Sequence, residues 1–299
     1  MSGALWLVAT PIGNLGDMTP RALEALSNAD VIAAEDTRRT LKLLNHFQIK
    51  KPLVSYREHN KRECGPRILA MLKDGRNVAL VTDAGMPSIS DPGEDLVRLC
   101  HENGVSVTVM PGPSAFAAAL ALSGMSSRRF AFEGFLPRGK RERRAVLDGL
   151  KAEGRTVILY EAPHHLCGTL ADLFEALGER RLSLVREITK LHEETAAGTL
   201  SGFLDYYKTH EARGEYVMVI EGAGGGSGVE PENADESADE NSDESVIKAG
   251  VTEEIEARIR AGLSKKEAMK CAAKARGVPK REVYARYLKE SGPRGEDDS

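Results

Sequence analysis

Three stretches rich in Gly and Pro each follow an apolar run. They are Thr10-Pro-Ile-Gly-Asn-Leu-Gly-Asp-Met-Thr-Pro20, Thr82-Asp-Ala-Gly-Met-Pro-Ser-Ile-Ser-Asp-Pro-Gly93 and Pro111-Gly-Pro-Ser-Ala115. Such loops bring backbone N–H and C=O groups close to a ligand, because Gly has no Cβ in the way and Pro fixes the path. None reads GxGxxG or GxxxxGK[ST], so the dinucleotide fingerprint and the P-loop are both absent. Polar clusters stand apart from these loops: Glu35 to Thr40, Ser55 to Arg62 and Arg186 to Glu194. They hold the carboxylates, imidazoles and cations that can move a proton or hold charge. Asp36 or Thr37 also fits a plain helix cap.

The elements that must position these groups alternate. Ala4–Ala9, Val31–Ala34, Leu53–Val54, Val78–Val81 and Val105–Met110 read as strands, with helical patterns between them. Thr19-Pro20 supplies an N-cap and a first-turn Pro for the first helix. Repeated strand–loop–helix units predict a parallel sheet covered by helices over residues 1–124. The three loops then fall at carboxyl ends of strands, where open α/β sheets bind ligands. Residues 125–222 read differently. Strands at Phe130–Pro137, Thr156–Tyr160, Leu182–Ile188, Glu193–Thr199 and Glu215–Ile220 with fewer helices predict a second α/β domain with a mixed sheet.

Residues 229–245 carry eight acidic residues and no Lys or Arg, so the rest of the chain is net positive. Residues 223–247 read as an extended acidic linker. Residues 248–292 read as three short helices with a Ser264–Glu267 capping box and a basic last helix, a helix-turn-helix-like unit suited to nucleic acid. Residues 293–299 read as a disordered tail. Cys64, Cys100, Cys167 and Cys271 are isolated, without zinc-ligand spacing, which predicts reduced thiols and no metal. No apolar run is long enough for a membrane span, and the first residues lack a basic signal-peptide region, so a cytoplasmic location is expected.

Six motifs in order closely resemble one family: residues 8–17, 34–38, 81–93, 111–115, 160–164 and 186–194. That family is the bacterial 16S ribosomal RNA cytidine 2′-O-methyltransferases, a branch of the tetrapyrrole-methylase superfamily. The resemblance covers about residues 4–221. It implies two α/β domains with S-adenosylmethionine in the cleft between them, a homodimer, and 16S RNA in the small ribosomal subunit as partner. Carried over by motif, the cofactor-binding residues are Pro11, Asp83, Ala84, Gly85, Met86, Ile89, Ser114 and Ala115, with Tyr160, Glu161, Tyr216 and Val217 from the second domain. Relatives acting on tetrapyrroles usually show Gly-Gly-Asp-Pro in the central loop. This chain has Ala84-Gly85-Met86-Pro87, which argues against a porphyrinoid.

For a methyl transfer to a ribose hydroxyl, the polar clusters supply the catalytic candidates Asp36, Arg38, His59, Glu187 and Lys190. A base or a cation near the hydroxyl favours its ionised form. Lys190, if desolvated, is expected to lose its proton and serve as base. Arg38, Arg57, Arg62 and the basic run 138–144 are expected to hold phosphates. Two other readings stay open: a same-fold methyltransferase acting on a small molecule or a protein side chain, and a non-catalytic RNA-binding protein.

Overall fold

The computed structural model describes residues 2–224 and, beyond them, Met269. The acidic linker after its first two residues, the helical unit at 248–292 apart from Met269, and the tail at 293–299 lie outside the described residues. The first part of the chain runs β1 (Ala4–Val8), α1 (Pro20–Asn28), β2 (Val31–Ala34), α2 (Thr37–His46), β3 (Leu53–Ser55), α3 (Lys61–Lys73), β4 (Val78–Val81), α4 (Glu94–Glu102), β5 (Ser106–Met110) and α5 (Ala115–Ser123). It continues with β6 (Phe130–Phe135), α6 (Lys140–Leu150), β7 (Thr156–Glu161), α7 (Pro163–Leu177), β8 (Arg181–Arg186), β9 (Glu194–Thr199), α8 (Leu200–Thr209) and β10 (Tyr216–Ile220).

The first sheet is wholly parallel, in the order β3-β2-β4-β1-β5. β2 and β4 are buried at every position, as strands covered by helices on both faces must be. One face packs Leu5, Ala33, Leu80 and Leu96; the other packs Val8, Leu26, Ile32 and Leu44. Thr19 caps α1 by accepting from the Ala22 N–H at 3.2 Å, with Pro20 in the first turn. The strand order has a direct consequence. β4, β1 and β5 are neighbours, so the three Gly/Pro loops leave the sheet side by side. The first and central loops are tied by a two-way backbone bridge: Thr10 N–H to Gly85 O at 2.9 Å, and Gly85 N–H to Thr10 O at 3.0 Å.

The second sheet is mixed, in the order β6-β7-β10-β8-β9. β6 and β7 are parallel; β10 runs antiparallel to both β7 and β8. Tyr216 therefore stands opposite Glu161 on one side and Arg186 on the other. α5 joins the two halves. Its Ala119 and Leu120 pack with Ile158, Val185, Val217 and Val219 of the second sheet and with Ile12 of the first loop. Small residues in α5 permit that close approach.

The structure differs from the sequence expectations at β8 and adds a helix to them. β8 stops at Arg186 rather than Ile188, because the chain turns sharply there, with Glu187 at φ +52° and Thr189 at φ +65°. Residues 200–209 carry no element in the sequence reading and form α8, although Gly202 and the aromatic residues are weak helix formers. Thr199 caps it from the Gly202 N–H at 3.2 Å, and Phe203, Leu204 and Tyr207 pack onto the core, so tertiary burial overrides propensity. Among the described residues no helix is long and apolar enough to cross a membrane.

Candidate active site

A cavity of about 330 Å³ opens where the loops of both sheets meet, within the usual range of ~300–1,000 Å³ for small-molecule pockets. Asp83, Ala84, Gly85, Met86 and Ile89 of the central loop line it, with Ser114 and Ala115 of the third loop. Tyr160, Glu161, Tyr216 and Val217 line it from the second sheet, together with Lys190. Pro11 is the exception among the expected cofactor residues. It lines a neighbouring groove of about 420 Å³ between the first loop and α2.

The backbone around the cavity is held in unusual conformations. Gly85 sits at φ +85°, Ser88 at +69° and Ser90 at +64°, and across the cavity Glu187 and Thr189 are also left-handed. Left-handed non-Gly residues cost of order 1–3 kcal/mol each and persist only where the surroundings enforce them. Of these, Gly85 and Ser90 line the cavity itself, and Glu187 and Thr189 flank Lys190.

The second-sheet wall is fixed by side chains. The Tyr160 hydroxyl accepts from the Phe116 N–H at 3.1 Å, and its ring packs edge-on against Phe132 and Phe135. Burial pushes the Tyr160 hydroxyl's pKa up. Glu161 is buried, accepting from the Ala162 N–H at 2.8 Å and the Thr169 hydroxyl at 2.5 Å. Lys190 donates to Glu187 at 2.8 Å and Glu215 at 2.9 Å. Burial alone would pull its pKa down, but these two carboxylates outweigh it and hold the ammonium above its ordinary range. The expectation that Lys190 sheds its proton is therefore corrected: in this arrangement it is a cation. Glu187 lies behind Lys190, off the cavity lining. Burial pulls Glu187 up, yet Lys190 and the Glu215 N–H hold it below the usual carboxylate range.

The other polar candidates stand elsewhere. Asp36 is the N-cap of α2, accepting from the Arg38 N–H at 2.9 Å and paired with the Arg38 guanidinium at 2.8 Å. Arg38 therefore holds Asp36 well below the usual carboxylate range. Neither lines the cavity. His59 is exposed in the turn before α3 and also lies off it. Arg57 braces the loop after β2, donating to the Glu35 carbonyl at 2.7 Å. In α6, Arg143 is bound to Asp172 and Thr169, and Arg144 to Asp148 and Glu175, so both serve helix packing.

The sequence reading passed over Glu35, Arg39 and Asp91, all on the cavity. Glu35 accepts from the Thr82 hydroxyl at 2.7 Å, and Arg39 pairs with Asp83 at 3.2 Å. The Asp36 N–H donates to Asp83 at 3.0 Å. Burial, and the nearby Glu35, push Asp83 up. Burial pushes Asp91 up to about 6, against a lowering by Thr82, with Glu35 and Asp83 adding to the rise. A signal existed for two of them. Asp91 stands in the central loop, and Glu35 directly follows β2, whose carboxyl end points the same way.

Asp91 gives a pH prediction. Its folded pKa lies above the ~3.9 of an unfolded Asp, so stability is lost as pH rises from about 4 through about 6. Asp91→Asn is expected to melt roughly 2–4 °C higher than the parent at pH 8, about 1 kcal/mol after allowance for solvent screening. The gap should close as pH falls to 4. Thermal melts of both proteins across that range check it.

The comparisons with known proteins show the family and the fold. A model of the family Tetrapyrrole (Corrin/Porphyrin) Methylases matches residues 4–203. A Synechocystis protein named "Ribosomal RNA small subunit methyltransferase I" is 46% identical over 283 residues, 94% of this chain and 96% of its own length. A Thermotoga maritima protein of the same name is 48% identical over 220 residues, 74% of this chain and 99% of its own. Among solved structures, a cobalamin biosynthetic cobalt precorrin-4 methyltransferase superposes with a TM-score of 0.55 at 18% identity. It covers 73% of this chain and 94% of that one, and it shows the fold alone. By the family match and the near-full-length relatives, the chain belongs to the tetrapyrrole methylase family, in its ribosomal RNA small subunit methyltransferase I branch.

Proposed function

We propose that the chain methylates the ribose 2′-hydroxyl of a cytidine in the decoding region of 16S ribosomal RNA, with S-adenosylmethionine as donor. The observation that carries this reading is the cavity onto which the strand-end loops and Lys190 converge. The relatives' name supports small-subunit RNA as substrate. The choice of cytidine, of the 2′ position and of a homodimer rests on the resemblance of the six motifs; a cytoplasmic site of action is supported by the isolated cysteines and by the relatives' name. A porphyrinoid substrate is disfavoured by Ala84-Gly85-Met86-Pro87 in the central loop.

The residues fit the donor. Gly85 presents bare backbone: a Cβ there would stand 3.4 Å from Ile12 and 3.6 Å from the Pro113 carbonyl. Met86, Ile89, Ile188 and Val217 give the cavity an apolar wall suited to an adenine ring. Glu35, Asp83 and Asp91 make its other wall acidic, which suits a cation. When bound, S-adenosylmethionine supplies a methyl group already activated on a sulfonium. Asp83, Ala84, Gly85, Met86, Ile89, Ser114, Ala115, Tyr160, Glu161, Tyr216 and Val217 would hold it, while Pro11 of the first loop lines the neighbouring groove.

Two cavity groups act on the acceptor. The charged Lys190 favours the ionised form of the ribose hydroxyl, and Glu187 and Glu215 fix where its ammonium stands. Asp91, at about 6, is suited to take the hydroxyl's proton near neutral pH. Both roles depend chiefly on holding the hydroxyl in line, which is proximity and orientation. The test is transfer of labelled methyl from S-adenosylmethionine to small ribosomal subunits, with naked 16S RNA and protein alone as comparators. Label in RNA is expected, with kcat rising as pH passes through about 6. Donor binding without RNA label would overturn the reading in favour of a small-molecule acceptor.

A further inference from the structure

α2 carries a row of basic side chains along one face. Arg39, Lys42 and His46 recur at i, i+3 and i+7, which aligns them on the helix surface. Leu44 turns the opposite way and is buried, while Thr40, also buried, lines the groove between them and the first loop. The basic face fronts the groove of about 420 Å³ whose other wall is the first loop around Gly13. Lys42 and His46 are exposed. They contrast with Arg143 and Arg144 of α6, which are engaged by Asp172, Asp148 and Glu175. The row spans roughly 10 Å at 1.5 Å per helical residue, the reach of a few nucleotides. The groove leads somewhere specific: it shares Arg39 and Asp83 with the donor cavity, so their ion pair marks the boundary between the two spaces.

We infer that this groove takes the RNA strand beside the methylated nucleotide, with Arg39, Lys42 and His46 on its phosphates and the target ribose entering the cavity past the Arg39–Asp83 pair. The inference rests on the RNA-methylation reading and adds a strand path to it. Charge complementarity favours a polyanion over a neutral ligand, and the helical row suits a periodic backbone better than one small molecule. Gly13, on the opposite wall, ties the groove to the donor cavity: a Cβ there would lie 2.5 Å from Lys190 Cγ, so this glycine makes room for the Lys190 side chain.

The test uses the full chain, with Lys42→Glu and the double variant Lys42→Glu/His46→Ala. Lys208→Glu, on α8 and paired with Asp205, serves as the charge-matched control. RNA binding and methyl transfer to small subunits are measured over a salt series, and S-adenosylmethionine binding by calorimetry. Lys42→Glu is expected to weaken RNA binding and raise KM for the subunit roughly tenfold, with kcat and donor affinity near parental values. The slope of log affinity against log salt should flatten by ~0.7 for each phosphate that the variant no longer neutralises. A parental enzyme that labels RNA while the variants bind it with unchanged affinity and slope overturns the groove alone. A parental enzyme that labels no RNA overturns the reading beneath it, and the strand path with it.

Discussion

Lys190→Ala is expected to lower kcat for RNA methylation by roughly 10²–10³-fold, the usual cost of removing a charge-stabilising donor, while donor affinity changes only a few-fold. The side chain leaves a turn whose Glu187 and Thr189 are both left-handed, and its ammonium is held between Glu187 at 2.8 Å and Glu215 at 2.9 Å. That arrangement fixes a positive charge at the cavity wall. Arginine keeps the charge, so Lys190→Arg should retain more activity than the alanine variant. The pH dependence separates a cation from a base. With Lys190 as a cation, the rate falls by the same factor at every pH and the rise through about 6, set by Asp91, persists. With Lys190 as the base, arginine would be as inactive as alanine and the rise would vanish in both. Gly13→Ala should reproduce part of the loss with Lys190 still present. Its Cβ would stand 2.5 Å from Lys190 Cγ and 2.9 Å from the Ile188 carbonyl, displacing the whole turn.

Gly85→Val should weaken donor binding by about 10- to 100-fold, read by calorimetry, and lower stability by about 1–3 kcal/mol. Gly85 stands at φ +85°, where a β-branched side chain is strained, and its N–H and C=O are both spent on Thr10. It cannot relax without parting the first loop from the central one. A Cβ alone is tolerated in space, at 3.4 Å from Ile12 Cγ2 and 3.6 Å from the Pro113 carbonyl. The loss should therefore be graded: least for Gly85→Asn, which accepts left-handed backbone, more for alanine, most for valine. Equal loss in all three would mean that space rather than conformation is limiting at this position.

Much of this architecture was legible in the chain. Apolar runs ending in Gly and Pro located the loops, and alternation with helical patterns gave the parallel sheet. What could not be read was which loops become neighbours. The order β4-β1-β5, set by long-range pairing, is what brings residues 10–20, 82–93 and 111–115 together. The same limit explains the polar candidates. Asp36 and Arg38 stand in a motif, but a helix cap and an ion pair occupy them. Asp91 sits in the central loop with no local sign that burial and two neighbouring carboxylates would raise its pKa. Lys190 was visible as a charge; that it stays charged depends on Glu215, which lies twenty-five residues away.

The measurement that bears most directly on the central claim is the chemical form of the methylated product. Small ribosomal subunits are incubated with the protein and labelled S-adenosylmethionine, and their RNA is hydrolysed with alkali and then digested to nucleosides. Label is expected in an alkali-resistant dinucleotide that releases 2′-O-methylcytidine, because a methylated 2′-oxygen can no longer attack the adjacent phosphate. Label recovered on a base, on protein or on a small molecule would contradict that claim.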